Sequence, residues 1–109
     1  MATAEQVQEK LGVKLRGVQR EGPGIPIEVL KVQVAEVSPS LLLDVDVRAS
    51  GEVWRVSLKY TGQEASLVSG DLADETVEYL ALLARTHLFE WWHTKDTEKA
   101  SKRMGVRLE

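Results

Sequence analysis

The run Leu41-Leu42-Leu43-Asp44-Val45-Asp46-Val47-Arg48-Ala49, the pair Ser50-Gly51, and the run Glu52-Val53-Trp54-Arg55-Val56-Ser57-Leu58-Lys59-Tyr60 decide the fold. The first run alternates cleanly. Leu41, Leu43, Val45, Val47 and Ala49 share one face of a strand, and Leu42, Asp44, Asp46 and Arg48 share the other. The second run alternates in the opposite phase, with Trp54, Val56, Leu58 and Tyr60 on its apolar face. Two residues between such runs make a hairpin. Closing it pairs Val47 with Trp54, Val45 with Val56, Leu43 with Leu58 and Leu41 with Tyr60. On the other face Asp46 falls opposite Arg55, and Asp44 opposite Ser57. A slip of one residue would spoil both faces at once, so the register is specified twice over.

Upstream, a turn centred on Pro39-Ser40 predicts Val34 opposite Val45, Val32 opposite Val47 and Leu30 opposite Ala49. Lys31 and Gln33 then face water. Glu36 falls opposite Leu43, so the pairing frays near the turn. Ile27 and Val29 lie out of phase with Leu30, which predicts a bulge near Val29. A weaker fourth strand over residues 13–20 would reverse at Gly22-Pro23-Gly24-Ile25-Pro26, a segment that can continue neither a helix nor a central strand. Before it, Thr3 as N-cap with Glu5, Val7 and Leu11 predicts a short helix ending at Gly12.

Downstream, residues 69–95 carry the main helix, with Asp71 as N-cap and Asp74 and Glu75 in the first turn. Val77, Leu80, Ala81, Ala84, Leu88 and Trp91 form a stripe at helical spacing that covers the sheet. A second row, Tyr79, Leu82, Thr86, Phe89 and His93, with Leu83 nearby, occupies the back of the helix. A helix lying on one sheet needs a single apolar face. The back must therefore meet another part of the chain or another chain. Beyond Trp92, the sequence fits either one helix running to Met104 or a second restarting at Thr94 or Asp96, and Gly105 suits a C′ position. The expectation is an α+β domain spanning residues 1–109: an antiparallel meander of three to four strands, covered on one face by a long C-terminal helix, with a short N-terminal helix.

Composition narrows the function classes. The chain has 109 residues, 43% hydrophobic and 28% charged, which suits one globular domain with its own core. It has no run of the ~20 apolar residues that a membrane-spanning helix needs, and residues 1–9 lack the features of a secretory leader. No cysteine is present, which removes disulfides, thiol nucleophiles and cysteine zinc sites. Asparagine is also absent, a trend of heat-adapted proteins or GC-rich genomes, and the expected setting is a bacterial cytoplasm. The net charge of −3 divides into a neutral portion over residues 1–60, an acidic main helix and a mildly basic tail.

The chemical inventory is thin. Asp44 and Asp46 with Arg55 resemble an acid/base pair, but an outer-face ion pair explains them as well. His87, Glu90 and His93 are metal-ligand types at i, i+3 and i+6, yet the two histidines lie nearly two turns apart. No phosphate-binding glycine loop and no nucleophile elbow occurs. Accordingly no catalytic residue, metal or cofactor is expected, and the leading expectation is a non-catalytic interaction or assembly module. Its partner is a second copy or another protein, with Tyr79, Leu82, Phe89 and Trp92 as contacts. The alternatives are a small-molecule pocket or enzyme site lined by Trp54, Tyr60, His87 and Trp91, and a nucleic-acid-associated regulator using Lys99, Lys102 and Arg103 as an anion-binding tail. The acidic total and the lack of aromatic residues in the tail weigh against nucleic acid.

Overall fold

The computed structural model describes residues 3–19, 25–68 and 72–109, apart from the side chains of 64–65 and 100–102. The elements in chain order are α1 (Ala4–Leu15), β1 (Gly17–Gln19), β2 (Ile27–Glu36), β3 (Leu41–Ala49), β4 (Glu52–Tyr60), α2 (Gln63–Ser66), α3 (Asp74–Thr94), α4 (Lys99–Met104) and β5 (Gly105–Arg107). The strands form one antiparallel sheet in sequence order, so the fold is α+β with five strands, slightly more than the sequence suggested.

The hairpin of β3 and β4 has the predicted register throughout, from Ala49 opposite Glu52 to Leu41 opposite Tyr60. Its turn has positive φ at both central residues, 51° at Ser50 and 78° at Gly51. That geometry matches the strand twist, and glycine reaches it without the crowding a side chain meets. Core and outer rows separate as the alternation requires. Leu41, Leu43, Val45, Val47, Val56 and Leu58 are each buried. Opposite them, Arg55 Nε and Nη2 donate to Asp46 Oδ1 and Oδ2 at 2.8 and 3.2 Å.

The register of β2 against β3 differs from the expectation. Val34 opposes Leu43 and Val32 opposes Val45, two residues from the predicted pairing, while Val29 opposes Val47. The strand carries two irregularities, between Val29 and Lys31 and between Val34 and Glu36. The first is the bulge expected near Val29. It removes Leu30 from the core row and lets Ile27 and Val29 join Val32 and Val34 there. Glu36 opposes Leu42, not Leu43.

Thr3 caps α1 with a reciprocal capping box, its side chain accepting from Gln6 N while the Gln6 side chain accepts from Thr3 N. The helix does not stop at Gly12. It continues to Leu15 because Val7, Leu11 and Leu15 form a buried stripe that packs into the same core as β2. After it, the short β1 pairs with the start of β2 from Gly17 opposite Val29 to Gln19 opposite Ile27. The Gly-Pro reversal at residues 22–24 lies outside the described residues, as does Asp71, the expected cap of the main helix. The helix itself begins at Asp74 with Ala73 at the cap position and no side-chain capping bond.

The stripe Val77, Leu80, Ala81, Ala84, Leu88 and Trp91 is buried against the sheet as predicted. The C-terminal region is two helices, not one: α3 ends at Thr94, a turn follows, and α4 starts at Lys99. Gly105 is not a left-handed helix terminus. Its φ of −118° and ψ of 140° are extended, and it opens β5, which pairs with Trp54–Val56 of β4. The buried stripes of α1 and α3 pack on one side of the sheet, and the other side carries Asp44, Asp46, Arg48, Arg55, Ser57 and Lys59 among Leu30, Leu42 and Val53. Among the described residues no helix is long and apolar enough to cross a membrane.

Candidate functional site

The functional question falls on α3, whose sides meet three environments. Its inner stripe is sealed. At its C-terminal end the tryptophans gather: the Trp54 and Trp91 rings lie edge to face with centroids 5.4 Å apart, and Trp91 and Trp92 do so at 6.0 Å. Lys95 Nζ sits 5.0 Å from the Trp54 ring and 4.7 Å from the Trp92 ring, and bonds Asp96 at 3.1 Å. The Lys95 side chain keeps only 12% of its exposure. An ammonium held between two aromatic faces is worth roughly 0.5–2 kcal/mol, and it closes the end of the core. Trp54 is anchored further by its Nε1, which donates to Glu52 Oε1 at 2.9 Å.

Gly105 is part of the same construction. A Cβ at this position would lie 2.5 Å from Trp91 Cζ2 and 2.8 Å from Nε1. The β5 backbone therefore rests directly on the indole, which only glycine permits. Trp91 Nε1 is buried there without a hydrogen-bond partner among the described residues. The ring fills the space at the expense of one indole N–H bond, a loss of about 1–3 kcal/mol set against aromatic packing on two sides.

Along its β4 side, α3 borders a cavity of about 230 Å³. Leu58, Lys59 and Tyr60 form one wall, His87, Glu90 and Trp91 the other, and Met104 closes an end. Tyr60 Oη and His87 Nδ1 share a hydrogen bond of 2.9 Å, and their rings stack at 5.4 Å. The structure thus unites three of the four residues proposed for a pocket, Tyr60, His87 and Trp91. Trp54 is held behind Trp91 and does not line the cavity. Pockets for whole small molecules usually span ~300–1,000 Å³, so this volume suits a single side chain or a fragment.

On the outward side of α3, Tyr79 and Leu82 are half exposed, at 50% and 49%. They lie in a shallow depression rimmed by Lys14, Glu75, Glu78 and Arg85. Lys14 Nζ bonds Glu78 Oε1 at 3.2 Å, tying α1 to this rim. Arg85 Nη1 reaches Gln19 Oε1 at 3.3 Å, and Gln19 Nε2 donates to Leu15 O at 2.7 Å. Val13 of α1, 72% exposed, lies in the neighbouring depression that Lys14 also borders. Phe89 is only 7% exposed and belongs to the core, and Trp92 is committed to Lys95. The outward apolar patch therefore rests on Tyr79 and Leu82.

The remaining candidates are dispersed. Ser57 Oγ donates to Asp44 Oδ1 at 2.8 Å, so Asp44, Asp46 and Arg55 form cross-strand pairs on the open sheet face. The hydrogen bond to Asp46 raises the Arg55 pKa above its ordinary value, and the Asp46 and Asp44 charges add to that. His93 is exposed while His87 turns to Tyr60, and among the described residues no group of three or more histidine, aspartate or glutamate side chains could hold a metal ion. Lys99 and Arg103 are exposed on α4, and the Lys102 side chain lies outside the description.

Sequence reasoning missed the Lys95 clamp and the Gly105 contact. The spacing of Lys95 three residues after Trp92 was available as a local signal. The Trp54 and Gly105 contributions needed the tertiary fold. No protein-family model, curated protein or solved structure matches the chain.

Proposed function

We propose that the chain is a non-catalytic interaction module that assembles with a second copy of itself through the outward face of α3. The observation that supports this reading is the half-exposed pair Tyr79 and Leu82, set one helical turn apart on a helix whose opposite face is fully buried. The rim has the charge order that self-pairing needs. Glu75 and Glu78 precede the apolar pair, and Arg85 follows it. In an antiparallel, two-fold pairing centred near Leu82, the acidic end of one helix approaches the Arg85 end of the other. Tyrosine supplies contact area at small entropic cost and is enriched among binding hot spots. The setting proposed for it, on composition alone, is a bacterial cytoplasm.

Sedimentation velocity across the micromolar range tests the proposal. The expected result is a concentration-dependent two-chain species that Leu82→Asp and Tyr79→Asp each abolish without lowering the melting temperature of the dilute protein. A one-chain mass at every concentration would contradict it, as would a two-chain mass unaffected by both substitutions.

A further inference from the structure

The β4 strand is nine residues long, but β5 pairs only with Trp54–Val56. On the side away from β3, residues 57–59 pair with no described strand. The phase of the backbone along this edge is fixed. Val53 N donates to Glu109 O at 3.1 Å, and Val53 O accepts from Leu108 N at 2.7 Å, so Val53 points outward. Successive residues of an antiparallel strand turn their N–H and C=O groups to alternate neighbours. Ser57 and Lys59 therefore direct theirs outward as well, where a further strand would bond them.

The same stretch, with Tyr60 at its end, is a wall of the 230 Å³ cavity, through Leu58, Lys59 and Tyr60. Edge and cavity are thus one surface. A strand added here would alternate its side chains as β4 does. Residues opposite Leu58 and Tyr60 would enter the cavity, lined by the apolar surfaces of Leu58, Trp91 and Met104 and by the stacked Tyr60–His87 pair. Residues opposite Lys59 would stand on the open sheet face. Lys59 is exposed and has no ion-pair partner among the described residues. An edge lysine deters indiscriminate strand pairing, and an acidic residue placed opposite it converts that obstacle into a matched pair.

We infer that the edge of β4 at residues 57–59 is a docking site for an extended peptide segment of a partner protein. The segment carries an acidic residue opposite Lys59 and a neighbouring apolar residue that fills the Tyr60–His87–Trp91 cavity. Main-chain bonds to Ser57 and Lys59 hold the strand, and the cavity and Lys59 select its sequence. This site is separate from the outward face of α3 and does not depend on self-assembly there.

The test uses the full chain carrying Leu82→Asp, so that self-association does not enter. The probe is a short fluorescein-labelled peptide alternating leucine and glutamate. Two further peptides serve as comparisons, one with lysine for glutamate and one with proline at alternate positions. In the free protein, the amides of Ser57 and Lys59 exchange with solvent much faster than those of Val56, Leu58 and Tyr60. The acidic peptide binds and slows exchange at Ser57 and Lys59, while the proline peptide does not bind. Lys59→Glu weakens the acidic peptide by about tenfold and favours the lysine peptide. Lys59→Pro, which removes an outward N–H and leaves the β3 pairing in place, abolishes binding with the fold intact by circular dichroism. Protected Ser57 and Lys59 amides in the free protein would overturn the inference. So would failure of the acidic peptide to bind, or its equal binding to the Lys59→Glu protein.

Discussion

The two faces of α3 carry similar residue types but have different surroundings. Inward, Leu80, Leu88 and Trp91 are at most 2% exposed and are held by the sheet, by β5 and by the Lys95 clamp. Outward, Tyr79 and Leu82 remain half exposed, and the described residues around them form a rim of charged side chains. Apolar residues at helical spacing do not by themselves say what covers them. α1 packs beside α3 and its bond from Lys14 to Glu78 ties the two helices, yet it leaves the outward pair bare. The inner face is accounted for by folding, and the cover proposed for the outer face is a second chain.

That contrast can be broken by substitution. The largest effect is expected inside. Leu80→Ala should cost about 2–5 kcal/mol of unfolding free energy, because it leaves a cavity in a packed core. Denaturant unfolding measures it, and a loss under ~1 kcal/mol would mean that the inner face is less tightly built than described. Next comes Gly105→Ala. The added methyl group meets the Trp91 ring, and relief requires moving β5 or the indole, for about 1–3 kcal/mol. Weakened protection of the amides bonded between β4 and β5 should accompany it. Smaller again is Lys95→Ala, which removes the ammonium between Trp54 and Trp92 at about 0.5–2 kcal/mol and changes the tryptophan emission. The smallest effect on folding is expected outside, where Thr86→Ala should stay within ~0.5 kcal/mol. A larger loss would show that the outward face is already engaged within the chain.

Legibility followed the range of the interactions. The β3–β4 register was readable because alternation, turn length and charge all constrained the same twenty residues, and local rules sufficed. The inner stripe of α3 was readable for the same reason. The β2 register was not, because the bulge at Leu30 and the irregularity beyond Val34 redistribute a strand whose apolar pattern fits more than one pairing. α1 overran Gly12 because burial of Leu15 outweighs the helix cost of one glycine, roughly 1 kcal/mol. Strand β5 left almost no trace in three residues. Its position depends on Trp91 accepting a backbone at Gly105, a contact between residues fixed only by the tertiary fold. Of the candidate site, the convergence of Tyr60, His87 and Trp91 was legible from facing rows of strand and helix. The burial of Phe89 was not, since its place in the back row did not reveal the cover it finds inside the chain.

The most direct test of the account is the solution mass of the chain beside that of its Leu82→Asp variant, by sedimentation velocity across the micromolar range. The account predicts that the wild-type protein shifts toward two chains as concentration rises, while the variant stays at one chain with an unchanged melting temperature when dilute. A wild-type protein that remains a single chain throughout, or a variant that assembles as the wild type does, would contradict it.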